Sequence, residues 1–191
     1  IMIDKYITNV GNYAFYGLSN VTDINLADTV TDIGDYAFYG LSGLTVYSIG
    51  NGVVRIGDYA FALCTALKNV GLGEQIESIG NYAFYHCTAL KSVTIGNKVT
   101  SISNYMFIGC SELTYIVISD SISRIMDSAF KYCSNFSTVY YIGSMEKWDS
   151  VVINSTGNDA LKSATCYYFS ETQPTTTGNY WHYVDGVPTK W

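Results

Sequence analysis

Ile33-Gly34-Asp35-Tyr36-Ala37-Phe38 returns as Ile56-Gly57-Asp58-Tyr59-Ala60-Phe61, unchanged and 23 residues later. Related copies begin at Val10, Ile79, Ile102 and Ile125, all in the same 23-residue phase. Six copies thus run without insertion from Val10 to Lys147. A fixed period of this length marks a solenoid. One unit cannot bury its apolar face alone, and stacking the units buries all of them.

Inside the unit the apolar positions keep their places. The first position is Val10, Ile33, Ile56, Ile79, Ile102 and Ile125, and the sixth is Phe in all six copies, from Phe15 to Phe130. The twelfth is Val21, Leu44, Leu67, Leu90, Leu113 and Phe136. The fifteenth and seventeenth alternate with polar or small residues, as in Val93 and Ile95. That period-2 ending predicts a short strand with alternate side chains inward. The third position is always Asn or Asp: Asn12, Asp35, Asp58, Asn81, Asn104 and Asp127. Such side chains accept hydrogen bonds from free N–H groups at a helix start, which predicts a one- or two-turn helix over Tyr-Ala-Phe-x-x-Cys. The expected fold class is α/β: a solenoid of 23-residue coils, each with a short parallel strand and a short helix. The crossover rule makes it right-handed.

The unit Ile-Gly-x-x-Ala-Phe-x-x-Cys-x-x-Leu-x-x-Val-x-Ile resembles the BspA-type, or Treponema pallidum-type, leucine-rich repeat of bacterial surface proteins. The resemblance implies an extracellular or cell-surface location. It also implies adhesion to host extracellular proteins, host cell surfaces or partner cells, without naming a ligand. Fold alone does not give function.

The ends depart from the repeat. Ile1, Ile3 and Ile7 fall at the fifteenth, seventeenth and twenty-first positions of a preceding copy. The chain thus opens on residues 1–9 of an incomplete coil, with no polar cap visible there, and further sequence is expected before Ile1. At the other end Ala160-Leu161-Lys162-Ser163-Ala164-Thr165-Cys166 matches Ala89 to Ile95 at five of seven places, at an offset of 71. This predicts a capping coil over 148–168 with two extra residues and Trp148 in the slot of the first Ile. Residues 169–191 form a linker and an aromatic tail. Glu171 to Gly178 is rich in Thr, and Tyr180 to Val187 places an Asp-Gly turn after a β-prone aromatic run, a hairpin signal. An isolated hairpin is marginal in water, so these aromatics either dock on the solenoid, the favoured reading, or belong to a following module.

Composition narrows the function. Charged residues make up 14% of 191 and apolar residues 48%, with a net charge of -6. Ten Lys and Arg are too few for the basic stripe that nucleic acid or anionic lipid demands. Aromatics at 15% argue against disorder. No stretch of eighteen or more apolar residues occurs, so no membrane insertion is expected in this segment.

Candidate chemistry is sparse. Cys64, Cys87, Cys110 and Cys133 share a slot that holds Leu18 and Leu41 in earlier copies, which makes it a core slot. A disulfide between neighbouring coils stays open on strand spacing alone. His86 adjoins Cys87, but consecutive helical residues diverge and do not form a nucleophile pair. No metal or cofactor motif appears, and the expected protein is not an enzyme.

Two surfaces invite a partner. Tyr13, Tyr36, Tyr59, Tyr82 and Tyr105 fill the fourth position, with Tyr16, Tyr39 and Tyr85 three residues later. Either they stack between coils or they present a ligand surface. The outward strand positions, fourteen and sixteen, change from small neutral residues (Ser92, Thr94) to aromatic ones. The binding hypothesis centres on Tyr115, Val117 and Tyr140, with Thr138, Ser92 and Thr94 around them, unless the tail packs over this patch. The expected function is a non-enzymatic protein-binding or adhesion module. The alternatives are a spacer that displays a neighbouring domain, and a carbohydrate-binding module using the tail aromatics.

Overall fold

The computed structural model describes residues 1–191, the side chain of Val46 excepted. The main sheet has eight strands that lie in sequence order. They are β1 (Val46–Ser48), β2 (Asn69–Gly71), β3 (Ser92–Ile95), β4 (Tyr115–Ser119) and β5 (Thr138–Ile142), followed by β6 (Thr165–Phe169), β7 (Tyr180–Val184) and β8 (Val187–Lys190). Strands β1 to β7 are parallel, and β8 runs antiparallel to β7 as the outer edge. Register follows the 23-residue period where Ser92 faces Tyr115 and Tyr115 faces Thr138; the last coil is longer, and Thr138 faces Thr165, 27 residues on. Two-residue strands at the start of each unit, such as Asp32–Ile33, Arg55–Ile56 and Ser78–Ile79, pair in parallel in smaller sheets.

Between the sheets lies one continuous core. The sixth-position rings stack from Phe15 to Phe130, with centroids 5.2 to 5.6 Å apart. All but Phe15 are completely buried. The inward residues of both strand types close around them. The predicted solenoid of 23-residue coils is therefore the observed architecture.

The helical half of the expectation differs. The Tyr-Ala-Phe segments are turns, and the helices are short and confined to the C-terminal coil: α1 (Met145–Asp149) and α2 (Asp159–Ser163). The cause is backbone geometry. The fourth residue of every unit (Tyr13, Tyr36, Tyr59, Tyr82, Tyr105 and Ser128) has φ of 54° to 58°, a left-handed conformation that no right-handed helix contains. The eighth residue is left-handed as well, and Gly17, Gly40 and Gly109 adopt it without the Cβ penalty. Alternate N–H groups are thereby turned toward the next coil. Tyr36 N donates to Asp58 O at 2.9 Å and Phe38 N to Ala60 O at 2.9 Å, while the intervening Ala37 and Tyr39 make local turns. A helix would satisfy these donors within one coil; here they join coils.

The third-position Asn and Asp serve the same end. Asp35 N donates to Asn12 Oδ1, Asp58 N to Asp35 Oδ1 and Asn81 N to Asp58 Oδ1, at 2.8, 2.8 and 2.6 Å. The acceptor thus serves the following coil, not its own helix start. This ladder also explains the second-position glycines. A Cβ on Gly80 would lie 2.5 Å from Asp58 N and Oδ1.

The capping coil is corrected in register. Ile153, not Trp148, occupies the first-Ile slot and pairs with Ile125, while Trp148 sits on the inserted α1. Cys166 pairs with Val139, so it stands at the fifteenth position and not the seventeenth. The sequence match was two residues out. Strand side chains alternate with period 2, so such a slip leaves the inward set unchanged and hides itself.

Candidate functional site

The outward face of the main sheet divides into an open part and a covered part. On β1, β2 and β3, Ser48, Asn69, Gly71 and Thr94 are exposed and Ser92 is half-buried. No long side chain rises from these positions, so the strands present a smooth platform. At its flank the ends of the strands frame a groove of about 530 Å³, lined by Leu72, Glu74, Thr94, Asn97, Ser119, Asp120 and Ile142 among others.

The covered part begins at β4. Val117 is completely buried, Tyr140 is 8% exposed and Thr138 is 9% exposed. They do not form the free surface expected of them, because the tail lies over the patch. β7 adds to the sheet beside β6, with Tyr168 opposite Tyr180 and Phe169 opposite Trp181. Trp181 then turns over the sheet, its ring 5.2 Å from that of Tyr140 and 5.2 Å from that of Phe169. Val117, Tyr140 and Trp181 form a second, smaller core on the opposite side of the sheet from the Phe stack. The indole N–H donates to Tyr141 O at 3.1 Å. Lys190 closes the patch from β8, its ammonium 4.3 Å above the Tyr167 ring. A hydrogen bond with Tyr167 is the main reason its pKa rises.

Of the six predicted residues, the structure thus leaves Ser92, Thr94 and the half-buried Tyr115 at the platform. Tyr115 meets Tyr140 edge-on at 5.4 Å and forms the step between open and covered parts. Tyr183, 41% exposed and 4.8 Å from Trp181, rises beyond it. The contribution of Tyr183 was not read from the sequence. Its only signal was its place two residues after Trp181 in the aromatic run, which puts both on one strand face.

On the turn side the tyrosines stack between coils. From Tyr13 to Tyr105 the ring centroids lie 4.5 to 4.8 Å apart and nearly parallel. Their contacts are spent on one another. The cysteine slot is equally structural. Cys64, Cys87, Cys110 and Cys133 are free and buried, and each thiol donates to the Phe carbonyl of the preceding coil at 3.1 to 3.3 Å. Burial pushes Cys64 and Cys133 up to about 12, so thiolate chemistry has no access here. Among the described residues no three His, Cys, Asp or Glu side chains gather as metal ligands, and no helix is long and apolar enough to cross a membrane.

The BspA type Leucine rich repeat region is matched in six copies over residues 1–78 and 56–169. The chain belongs to the BspA-type leucine-rich-repeat family. Among solved structures, this BspA-type array is similar to the T. pallidum leucine-rich repeat protein TpLRR, with 21% identity and a TM-score of 0.71, covering 88% of this chain and 84% of that one. It is also similar to the pneumococcal vaccine antigen PcpA, with 19% identity and a TM-score of 0.65. That match covers 88% of this chain but 40% of PcpA. At these identities the likeness concerns the fold. Among curated proteins, none matches.

Proposed function

We propose that this BspA-type array is a non-enzymatic protein-binding module of a bacterial cell-surface or secreted protein, with a host extracellular or cell-surface protein as its partner. The observation that carries this reading is the open platform of Ser48, Asn69, Gly71, Ser92 and Thr94 ending at the aromatic step of Tyr115 and Tyr183. A flat polar area lets a partner approach the strands closely. The step supplies the rigid aromatic contact that carries binding energy at small entropic cost. That PcpA is a vaccine antigen, together with the cell-surface location that the BspA-type resemblance implies, supports an exposed location.

The test is a binding screen of the chain against extracellular host proteins, followed by Thr94→Arg and Tyr115→Ala. The arginine blocks the platform and the alanine removes the step. Each is expected to lower affinity at least about tenfold, Thr94→Arg with an unchanged melting curve. Full affinity in both variants rejects the platform as the binding surface.

A further inference from the structure

The covered patch is filled by the chain's own C-terminal hairpin. It lies apart from the main core, on the other side of the sheet. Its filler, the β7–β8 hairpin, is joined to the array by two strand-register pairs, by Lys190 over the Tyr167 ring, by the Trp191 indole N–H on Ser170 O, and along the chain by Ser170 to Asn179, a mostly exposed segment without helix or strand. Much of the hairpin stays in water: Tyr183, Val184 and Val187 are 41, 45 and 56% exposed. Trp181 alone is completely buried, and it meets a ready-made environment. Tyr140 and Phe169 flank the indole, and Tyr141 O accepts its N–H.

We infer that the cleft bounded by Val117, Tyr140 and Phe169 is a second protein-binding site, held by the chain's own Trp181 in place of its exchangeable ligand. That ligand is an extended segment of another protein that adds as a strand along β6 and inserts a tryptophan. The strand requirement comes from β6. Its residues Tyr168 and Ser170 donate N–H groups to Asn179 O and Trp181 O, and any replacement must supply those carbonyls. The tryptophan requirement comes from Tyr141 O. A phenyl ring fits the volume but leaves this acceptor without the indole donor, and a site built around one polar contact rejects ligands that lack it. The tether makes the hairpin a competitor at high effective concentration, so the site stays closed to weak ligands. This cleft borders the open platform at Tyr115, which packs against Tyr140. Thr94→Arg does not touch it, so the two proposals fail separately.

The experiment replaces residues 173–177 of the full chain with a protease site and cuts it after folding. The labelled peptide Asn179 to Trp191 is then titrated into cut and uncut protein. We expect the cut hairpin to leave on dilution while the array keeps its circular dichroism. The peptide should then bind the cut array saturably, and at least about a hundredfold more weakly to the uncut chain. A peptide carrying Trp181→Ala should bind the cut array at least about tenfold more weakly than the unaltered peptide. A hairpin that stays bound on dilution, or an array that unfolds when it leaves, makes the hairpin a permanent cap and overturns the proposal. Binding indifferent to Trp181→Ala overturns it too. Mixing two differently labelled uncut chains supplies the last arm: hairpins traded between copies would make a second copy the occupant and remove the foreign partner.

Discussion

The indole N–H of Trp181 reaches the main-chain carbonyl of Tyr141, 40 residues earlier in the chain, at 3.1 Å. One side chain thus fastens a hairpin to a solenoid strand that is not its neighbour in the sheet. Trp181→Phe keeps most of the ring bulk and loses the donor, which costs about 1 kcal/mol of docking. Trp181→Ala costs about 3 to 5 kcal/mol and frees the hairpin. Hydrogen exchange reads this directly. The amides of Tyr168 and Ser170, bonded to Asn179 O and Trp181 O, should lose protection in the alanine variant while those of β3 and β4 keep theirs. Unchanged protection at Tyr168 and Ser170 would mean that strand pairing alone holds the tail.

Tyr59 tests the turn geometry. Its ring lies between Tyr36 and Tyr82 at 4.7 and 4.5 Å, and its backbone has φ of 57°. Tyr59→Ala removes two stacking partners worth about 0.5 to 1.5 kcal/mol each and keeps the left-handed backbone cost. Tyr59→Gly removes the same contacts and relieves that cost. In denaturant unfolding the glycine variant should therefore be about 1 kcal/mol more stable than the alanine variant, the reverse of their order in a helix. Alanine above glycine would contradict the left-handed assignment.

These tyrosines also mark what was legible in the sequence. The period, the Phe column and the inward strand pair depend on burial alone, and each copy restates them. The spacing of Phe38, Leu41 and Leu44 satisfies a helix as well as a tight turn, so periodicity does not separate the two. What separates them is the left-handed φ at Tyr36, held by bonds to the next coil and by stacked rings. A tyrosine gives no local sign of that conformation. The outward set at Tyr115, Val117 and Tyr140 was readable by alternation. Whether it met solvent depended on Trp181, brought there from beyond an irregular segment whose path no local pattern encodes.

Alkaline pH should unfold the array through its thiol column. Burial raises Cys64 and Cys133 to about 12 and holds Cys87 and Cys110 well above the ordinary thiol value. In the unfolded chain these thiols ionise near 8.5 to 9, so above that range the unfolded state holds fewer protons than the native one. Stability is complete below about pH 8.5 and falls as pH rises toward the folded values, by up to about 1.4 kcal/mol per pH unit for each thiol. Cys87→Ala and Cys110→Ala should each flatten that slope by one thiol's share in urea titrations between about pH 9 and 11. The same slope in wild type and variants would assign the alkaline loss to tyrosines instead.

Asn158 ends the inter-coil ladder where the repeat stops. The position that a main-chain carbonyl fills in other coils, opposite a Phe N–H, is taken here by its side chain: Phe130 N donates to Asn158 Oδ1 at 3.4 Å. Its Nδ2 donates to Met126 O and Asn154 O at 2.8 and 3.1 Å, and the residue is completely buried. Asn158→Ala orphans these three groups and should cost about 2 to 4 kcal/mol. Asn158→Asp is the sharper test because it changes shape little. At neutral pH a carboxylate cannot donate, so Met126 O and Asn154 O lose their partner while a charge is buried beside them. Burial raises the pKa of that carboxyl in the folded state above its unfolded value. The variant's deficit should therefore shrink as pH falls through the folded pKa, where the neutral acid regains one O–H donor. Melting temperatures of wild type and Asn158→Asp should converge between pH 7 and about pH 4, with Asn158→Ala showing no such convergence. A constant gap between wild type and Asn158→Asp across that range would show that the carboxyl keeps its unfolded pKa, so that the site is open to water and not the sealed end of the ladder.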